Sequence, residues 1–294
     1  MSSTNAASEL RDILTKYCNH YRNIPEIESV RSLLPKVSED LRYELFSSIT
    51  DSDGDTALTR AAYRGHTELC VTLLSSLPPA DRLELILVNK RTGLHRASSR
   101  GYRGTVSGIL NCLTADQQLQ LLFTRDIFNG TSLHVAAEEG DAETVKTLLD
   151  NLTPEQQFQL IFTQDIEGNT ALHHAAQFGR RETVKTLLDN ITPEQQLQLL
   201  FTQNKNSDTA LHYAARWRHT EAVNTLLDNL TPEQQLKLLS VQNNTGKTAS
   251  QLAGASKQKV TEKMLKKYER DADLEVNYGK WAYYHVMTEN RGSN

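Results

Sequence analysis

The tract Thr131-Ser-Leu-His134 recurs as Thr170-Ala-Leu-His173 and Thr209-Ala-Leu-His212, each followed after one residue by an Ala pair, with the histidines 39 residues apart. A chain that repeats at such an interval does not build one central core. Each copy is a supersecondary unit that buries its apolar face by stacking on the next. Stepping back by 39 reaches His95 in Thr92-Gly-Leu-His-Arg-Ala, and stepping forward reaches Gln251 in Thr248-Ala-Ser-Gln-Leu-Ala. A degenerate copy, Thr56-Ala-Leu-Thr-Arg-Ala-Ala, precedes them by 36. The register predicts units at 51–86, 87–125, 126–164, 165–203 and 204–242, with a partial one at 243–268.

Each unit reads as three helices. The first carries Ala171-Leu-His-His-Ala-Ala-Gln-Phe and stops at Gly179, where positive φ costs little. The second, Arg181-Glu-Thr-Val-Lys-Thr-Leu-Leu, sets Val184, Leu187 and Leu188 on one buried stripe, and Cys70 falls at the Val184 position. The third opens at Thr192-Pro-Glu-Gln, where Thr caps, Pro suits the first turn and Gln195 completes a capping box. The same opening occurs at Thr153 and Thr231, with Thr114-Ala-Asp-Gln and Pro78-Pro-Ala-Asp as looser versions.

Thr-Ala-Leu-His-x-Ala-Ala-x-x-Gly followed by an apolar helix ending in Leu-Leu resembles the ankyrin repeat, as does the lead-in Asp165-Ile-Glu-Gly-Asn-Thr, over roughly residues 51 to 268. The resemblance implies an all-α, ankyrin-like helical repeat solenoid that binds other proteins. Two departures stand out: the signature Pro is Ala, Ser or Gly here, and the period exceeds the usual spacing of about 33. The surplus is the third helix. Asp189-Asn-Ile-Thr-Pro-Glu-Gln-Gln-Leu occupies the tract that would otherwise form a β-hairpin finger, so fingers should be reduced or absent. A tetratricopeptide array lacks its Trp and Tyr pattern here, and a HEAT-like array does not account for Thr-x-Leu-His.

Repeat arrays need polar ends. Residues 1–50 are expected to form an N-terminal helical cap, since Glu28-Ser-Val-Arg-Ser-Leu-Leu resembles a second helix and Ser38-Glu-Asp-Leu-Arg-Tyr-Glu-Leu-Phe a third. At the other end Lys257 to Tyr268 looks like a second helix. A C-terminal helix or tail, 269–294, follows with Tyr278, Trp281, Tyr283 and Tyr284 outside the register. Cys18, Cys70 and Cys112 are odd in number and far apart, which suits a reducing cytosol. The first residues lack the charge and apolar run of an export signal, and no apolar run is long enough to span a bilayer.

The histidines His95, His134, His173 and His212 invite a metal reading, but equivalent points on stacked units lie on the order of 10 Å apart and cannot share one ion. The resemblance implies a structural role, tying neighbouring turns together through hydrogen bonds. Cys18-Asn19-His20 sets a thiol near an imidazole without a visible orienting group. Phosphate-loop, dinucleotide, zincin and nucleophile-elbow motifs do not occur, so the chain is expected to be non-enzymatic, with no cofactor and no metal.

Residues that vary between units while the scaffold repeats are the candidates for recognition. One place after the signature His stand Arg60, Arg96, Val135, His174 and Tyr213. Four and five places after it stand Tyr63 and Arg64, Ser99 and Arg100, Glu138 and Glu139, Gln177 and Phe178, Arg216 and Trp217. Beside the terminating Gly come Tyr102, Arg103, Arg180 and Arg181, and Arg218 replaces that Gly. Arg, Trp and Tyr often carry binding energy at interfaces, so the first-helix strip is expected to hold an acidic, partly apolar segment of a partner protein. The formal net charge of −4, with Glu155, Glu194 and Glu233 on the third helices, argues against nucleic acid, and no membrane partner is expected. An enzyme with a site in the caps and a purely structural module remain the alternatives. The near-identical tracts Glu-Thr-Val-Lys-Thr-Leu-Leu-Asp-Asn at 143 and 182 indicate recent duplication, and such arrays resemble ankyrin proteins that intracellular bacteria deliver into host cells, which would place this chain in a host cytosol.

Overall fold

A computed structural model describes the backbone of residues 3–19 and 25–289, with side chains over 4–19 and 25–278. Among these residues the regular elements are all helices, and β pairing is confined to an isolated bridge between Thr50 and Thr56. The chain divides into two compact units, residues 1–166 and 167–294.

The first unit opens with α1 (Ser3–Asn19), α2 (Ile27–Leu33) and α3 (Glu39–Ser48). Three triplets follow: α4 (Ala57–Arg64), α5 (Thr67–Ser75) and α6 (Pro79–Leu87); α7 (Gly93–Ser98), α8 (Arg103–Asn111) and α9 (Ala115–Leu122); α10 (Ser132–Glu139), α11 (Ala142–Leu149) and α12 (Pro154–Ile161). The second unit contains α13 (Ala171–Gln177), α14 (Arg181–Asp189) and α15 (Pro193–Leu200), then α16 (Ala210–Arg216), α17 (Thr220–Leu227) and α18 (Pro232–Leu239). It closes with α19 (Ala249–Ala255) and α20 (Lys259–Glu289).

Like packs on like. In the first unit α1, α4, α7 and α10 form a row of first helices, and α2, α5, α8 and α11 a row of second helices. In the second unit α13, α16 and α19 stack, as do α14 and α17. Small residues make the close approach possible: the Ala pairs Ala61–Ala62, Ala136–Ala137, Ala175–Ala176 and Ala214–Ala215 are fully buried. The second helices bury their predicted stripes, including Val184 and Leu187 and, in α5, Cys70.

The Gln pair of each third helix acts at two places. Gln117, Gln156, Gln195 and Gln234 accept from the backbone N–H of Thr114, Thr153, Thr192 and Thr231 at 2.9–3.1 Å, closing the capping boxes. The next residues, Gln118, Gln157, Gln196 and Gln235, donate to the carbonyls of Leu110, Leu149, Leu188 and Leu227 near the end of the preceding helix. Orphan groups at two helix ends are thus satisfied by adjacent side chains. Arg82 serves at this position in α6 and also reaches the Cys112 carbonyl at 2.9 Å.

Fingers shrink to tight turns. A lead-in Asx side chain accepts from the backbone N–H groups two and four residues on: Asp51 from Asp53 and Asp55, Asp126 from Phe128 and Gly130, Asn204 from Asn206 and Asp208. Successive turns are joined by one backbone hydrogen bond, Ile166 N–H to the Phe128 carbonyl in the first unit and Lys205 N–H to the Glu167 carbonyl in the second.

The ends depart from a bare repeat. In the N-terminal tract, where sequence suggested a second and a third helix, α1 takes the place of a first; Tyr17 Oη meets His66 Nδ1 at 2.8 Å. At the other end α20 runs without a break past Tyr268, burying Thr261, Leu265 and Ala272. Beyond that stripe Leu274 and Tyr278 are exposed. The side chains of Trp281, Tyr283 and Tyr284 lie outside the described residues.

Candidate functional site

The signature histidines are buried and joined to neighbouring turns. Nδ1 of His134, His173 and His212 accepts from the N–H of Thr131, Thr170 and Thr209 at 3.1–3.2 Å. Nε2 then donates onward: His95 to the Gly130 carbonyl, His173 to Asp208 and His212 to Lys247, at 3.1–3.2 Å. Burial pushes the His95 and His212 rings below the ordinary imidazole value, so they stay neutral, as an accepting Nδ1 requires.

The arginines expected to face a partner are for the most part braced within the protein. Arg60 pairs with Asp51 at 3.0 Å and donates to the Cys18 carbonyl at 3.2 Å. Arg64 donates to the Tyr17 carbonyl at 3.3 Å and lies over the Tyr17 ring. Arg96 reaches back one repeat to Asp55 at 2.8 Å. Arg216 pairs with Asp208 at 3.1 Å in its own lead-in turn. Burial pushes the Asp55 carboxyl above its usual range, with Arg96 opposing; the pair orders the turn more than it stabilises the fold.

Tyr102 and His219 mark a packing rule that sequence reading missed. Tyr102, Asp141 and His219, which open second helices, lie on the left-handed glycines Gly65, Gly101 and Gly179 of the preceding units. The Tyr102 ring sits 3.0 Å from where a Gly65 side chain would begin, and the His219 ring lies directly over that point on Gly179. His219 Nε2 is also 2.9 Å from the Gln177 carbonyl, fixing the ring. Arg180 opens α14 in the equivalent position and is half-buried, as is His174. Arg103 forms an exposed pair with Glu143 at 3.1 Å.

Two groups remain presented to solvent. In the first unit Tyr63, Arg91, Arg96, Ser99, Arg100, Val135, Glu138 and Glu139 line a pocket of about 270 Å³ on the faces of α4, α7 and α10. The guanidinium groups of Arg96 and Arg100 lie 5.6 and 5.3 Å from the Tyr63 ring centre. In the second unit Phe178 and Trp217, at the ends of the stacked α13 and α16, are 40% and 54% exposed. Below Trp217, Tyr213 is locked: it takes a hydrogen bond from Asn204 at 3.2 Å, packs edge-on to His173 and lies under Arg216. Arg218 is exposed in a left-handed conformation, φ 70°, where the preceding units have glycine.

Arg91 stands before the signature Thr92, outside the variable positions that follow the signature His. Its signal was available in the position just before the signature Thr, which is Asp55, Gly130, Asn169, Asp208 and Lys247 in the other units.

Among the described residues no group of three or more His, Cys, Asp or Glu is arranged to hold a metal ion, and no helix is long and apolar enough to cross a membrane. Cys18 is buried with its thiol pushed up to about 11, mainly by burial; His20 lies outside the described residues.

The family described as "Ankyrin repeats (3 copies)" matches residues 108–198, and "Ankyrin repeat" matches 206–232. No curated protein matches the chain. First helices ending in left-handed residues, Thr–His hydrogen bonds that tie successive turns, and these matches agree: the chain carries ankyrin repeats, with a third helix added to each unit.

Proposed function

We propose that the protein is a non-enzymatic binding module that holds a segment of another protein against its first-helix faces. Ankyrin repeats are in general protein–protein interaction modules, and the observation that carries the reading here is the exposed pair Phe178 and Trp217 on stacked helices. Large rings at equivalent positions, set on a rigid base of braced Tyr213 and Arg216, present apolar area at little entropic cost on binding. A catalytic reading would rest on Cys18, and a buried thiol with a raised pKa is a poor nucleophile. A cytoplasmic location, on the strength of three scattered free cysteines, and action in a host cytosol as a delivered bacterial protein, on the strength of the near-identical duplicated units, extend the proposal.

The test is affinity capture from cytosolic extract with the full chain beside a Phe178→Ala, Trp217→Ala, Arg100→Ala variant. These exposed residues are chosen in preference to Arg96 and Arg216, whose removal would disturb the fold. Equal thermal melts should accompany loss of a specific partner in the variant alone. A partner retained by both would move the site away from this face.

A further inference from the structure

We propose that the pocket beside Arg91 seats one carboxylate side chain of the bound polypeptide, with a basic neighbour of that side chain facing Glu139. The proposal deepens the binding-module reading and rests on it.

Arg91 breaks a pattern. At the same place in other units Asp55, Asn169 and Asp208 accept from the lead-in amide of the next unit, Asn89 at 3.4 Å and Asn204 and Asn243 at 2.8 Å. Arg91 bridges nothing: among the described residues no acceptor reaches its guanidinium, although the side chain is half-buried and its Nε is shielded from solvent. Arg96 beside it uses Nη2 on Asp55, while its Nε is likewise buried without an acceptor. Buried donors left unpaired are costly, and an incoming anion relieves that cost while gaining charge-assisted hydrogen bonds.

The chemistry of the walls selects the anion. Planar guanidinium forks suit carboxylate or phosphate. Glu138 and Glu139 line the other side, and with Asp55 they balance the three arginines, so a dianion would leave two uncompensated charges and a carboxylate only one, which its basic neighbour offsets. A single carboxylate fits, and Glu139, exposed and in no ion pair among the described residues, favours a cation next to it. The volume of about 270 Å³ admits a side chain and falls below the usual range of small-molecule sites, roughly 300–1,000 Å³. Tyr63, under Arg96 and Arg100, gives the aliphatic part of that side chain an apolar surface.

The experiment needs no identified partner, so its failure is separable from failure of the capture test. Arginine Nε–H resonances of the ¹⁵N-labelled full chain are titrated with the capped peptides Ac-Ala-Glu-Lys-Ala-NH₂ and Ac-Ala-Gln-Lys-Ala-NH₂, with sodium acetate and with inorganic phosphate. The Glu peptide should shift the Arg91 and Arg96 signals saturably, and the Gln peptide should bind about tenfold more weakly. Arg91→Gln should abolish the shift while leaving the backbone amide spectrum otherwise intact, since the 165–203 unit carries a neutral amide, Asn169, there; Glu139→Gln should weaken the Glu peptide alone. Absence of a saturable shift, equal binding of the Gln peptide, or tighter binding of phosphate would overturn the proposal. Acetate binding as tightly as the Glu peptide would mark a site for free carboxylates and overturn the docking role.

Discussion

The first-helix faces of the two units are built on one scaffold yet finish differently. In the first unit arginines dominate: Arg60, Arg64 and Arg96 are turned inward onto Asp51, Tyr17 and Asp55, and a charged pocket opens beside Arg91. In the second unit Arg216 is braced in the same manner, but the exposed positions carry the rings of Phe178 and Trp217. Equivalent places in a repeat thus divide between residues that join the units and residues left over for a ligand. The division follows from whether a carboxylate in a lead-in turn stands within reach. Arginines with such a partner, or with a neighbouring carbonyl as Arg64 has, become braces, and Arg91, which has neither among the described residues, becomes a candidate contact.

The sharpest way to break this comparison is at the glycines. Gly179 lies under the His219 ring, whereas Gly54, also at positive φ, has open space around it. Gly179→Ala should cost about 3 kcal/mol, backbone strain plus overpacking, and Gly54→Ala only about 1 kcal/mol from strain; denaturant titration separates them. Equal losses would show that His219 moves aside freely.

Next come the braces. Arg96→Ala strands Asp55 in a site it shares with only a long contact from Asn89, and should cost about 3 kcal/mol. Arg216 is a third exposed and Asp208 keeps its hydrogen bond from Asn243, so Arg216→Ala should cost about 1 kcal/mol. Adding Asp55→Asn should recover much of the Arg96→Ala loss, because the stranded charge is removed.

Protonation gives a comparison across both units. His95 and His212 are held neutral by burial, so the unfolded chain, with imidazoles near 6.5, binds protons that the folded chain refuses. Stability should therefore be intact above that value and decline as pH falls below it. NMR titration should give folded-state pKa values for both rings under 6.5; values above it would mean that the accepting role of Nδ1 is wrong.

The smallest effect is expected at Arg218, whose left-handed backbone costs a non-glycine residue about 1 kcal/mol. Arg218→Gly should raise the melting temperature slightly, whereas Trp217→Ala should change stability by less than about 0.5 kcal/mol and act on binding alone.

Much of this protein was determined by local sequence. The period of 39, the capping boxes from Thr114 to Gln234, the glycine stops and the burial of Cys70 all rest on contacts within a few residues or on strict repetition, where one unit predicts the next. The loss of fingers was legible for the same reason, because Thr-Pro-Glu-Gln is a helix start wherever it stands. What only the tertiary structure decided is which of the variable residues are spent inside. Arg96 with Asp55 and Tyr102 on Gly65 are contacts between residues about one repeat apart, and His219 on Gly179 is another of that kind. No local pattern distinguishes a guanidinium that finds a carboxylate on the neighbouring turn from one that does not. That outcome depends on distances of about 3 Å set by stacking, which is why Arg60 and Arg96 looked like contact residues in sequence and Arg91 did not.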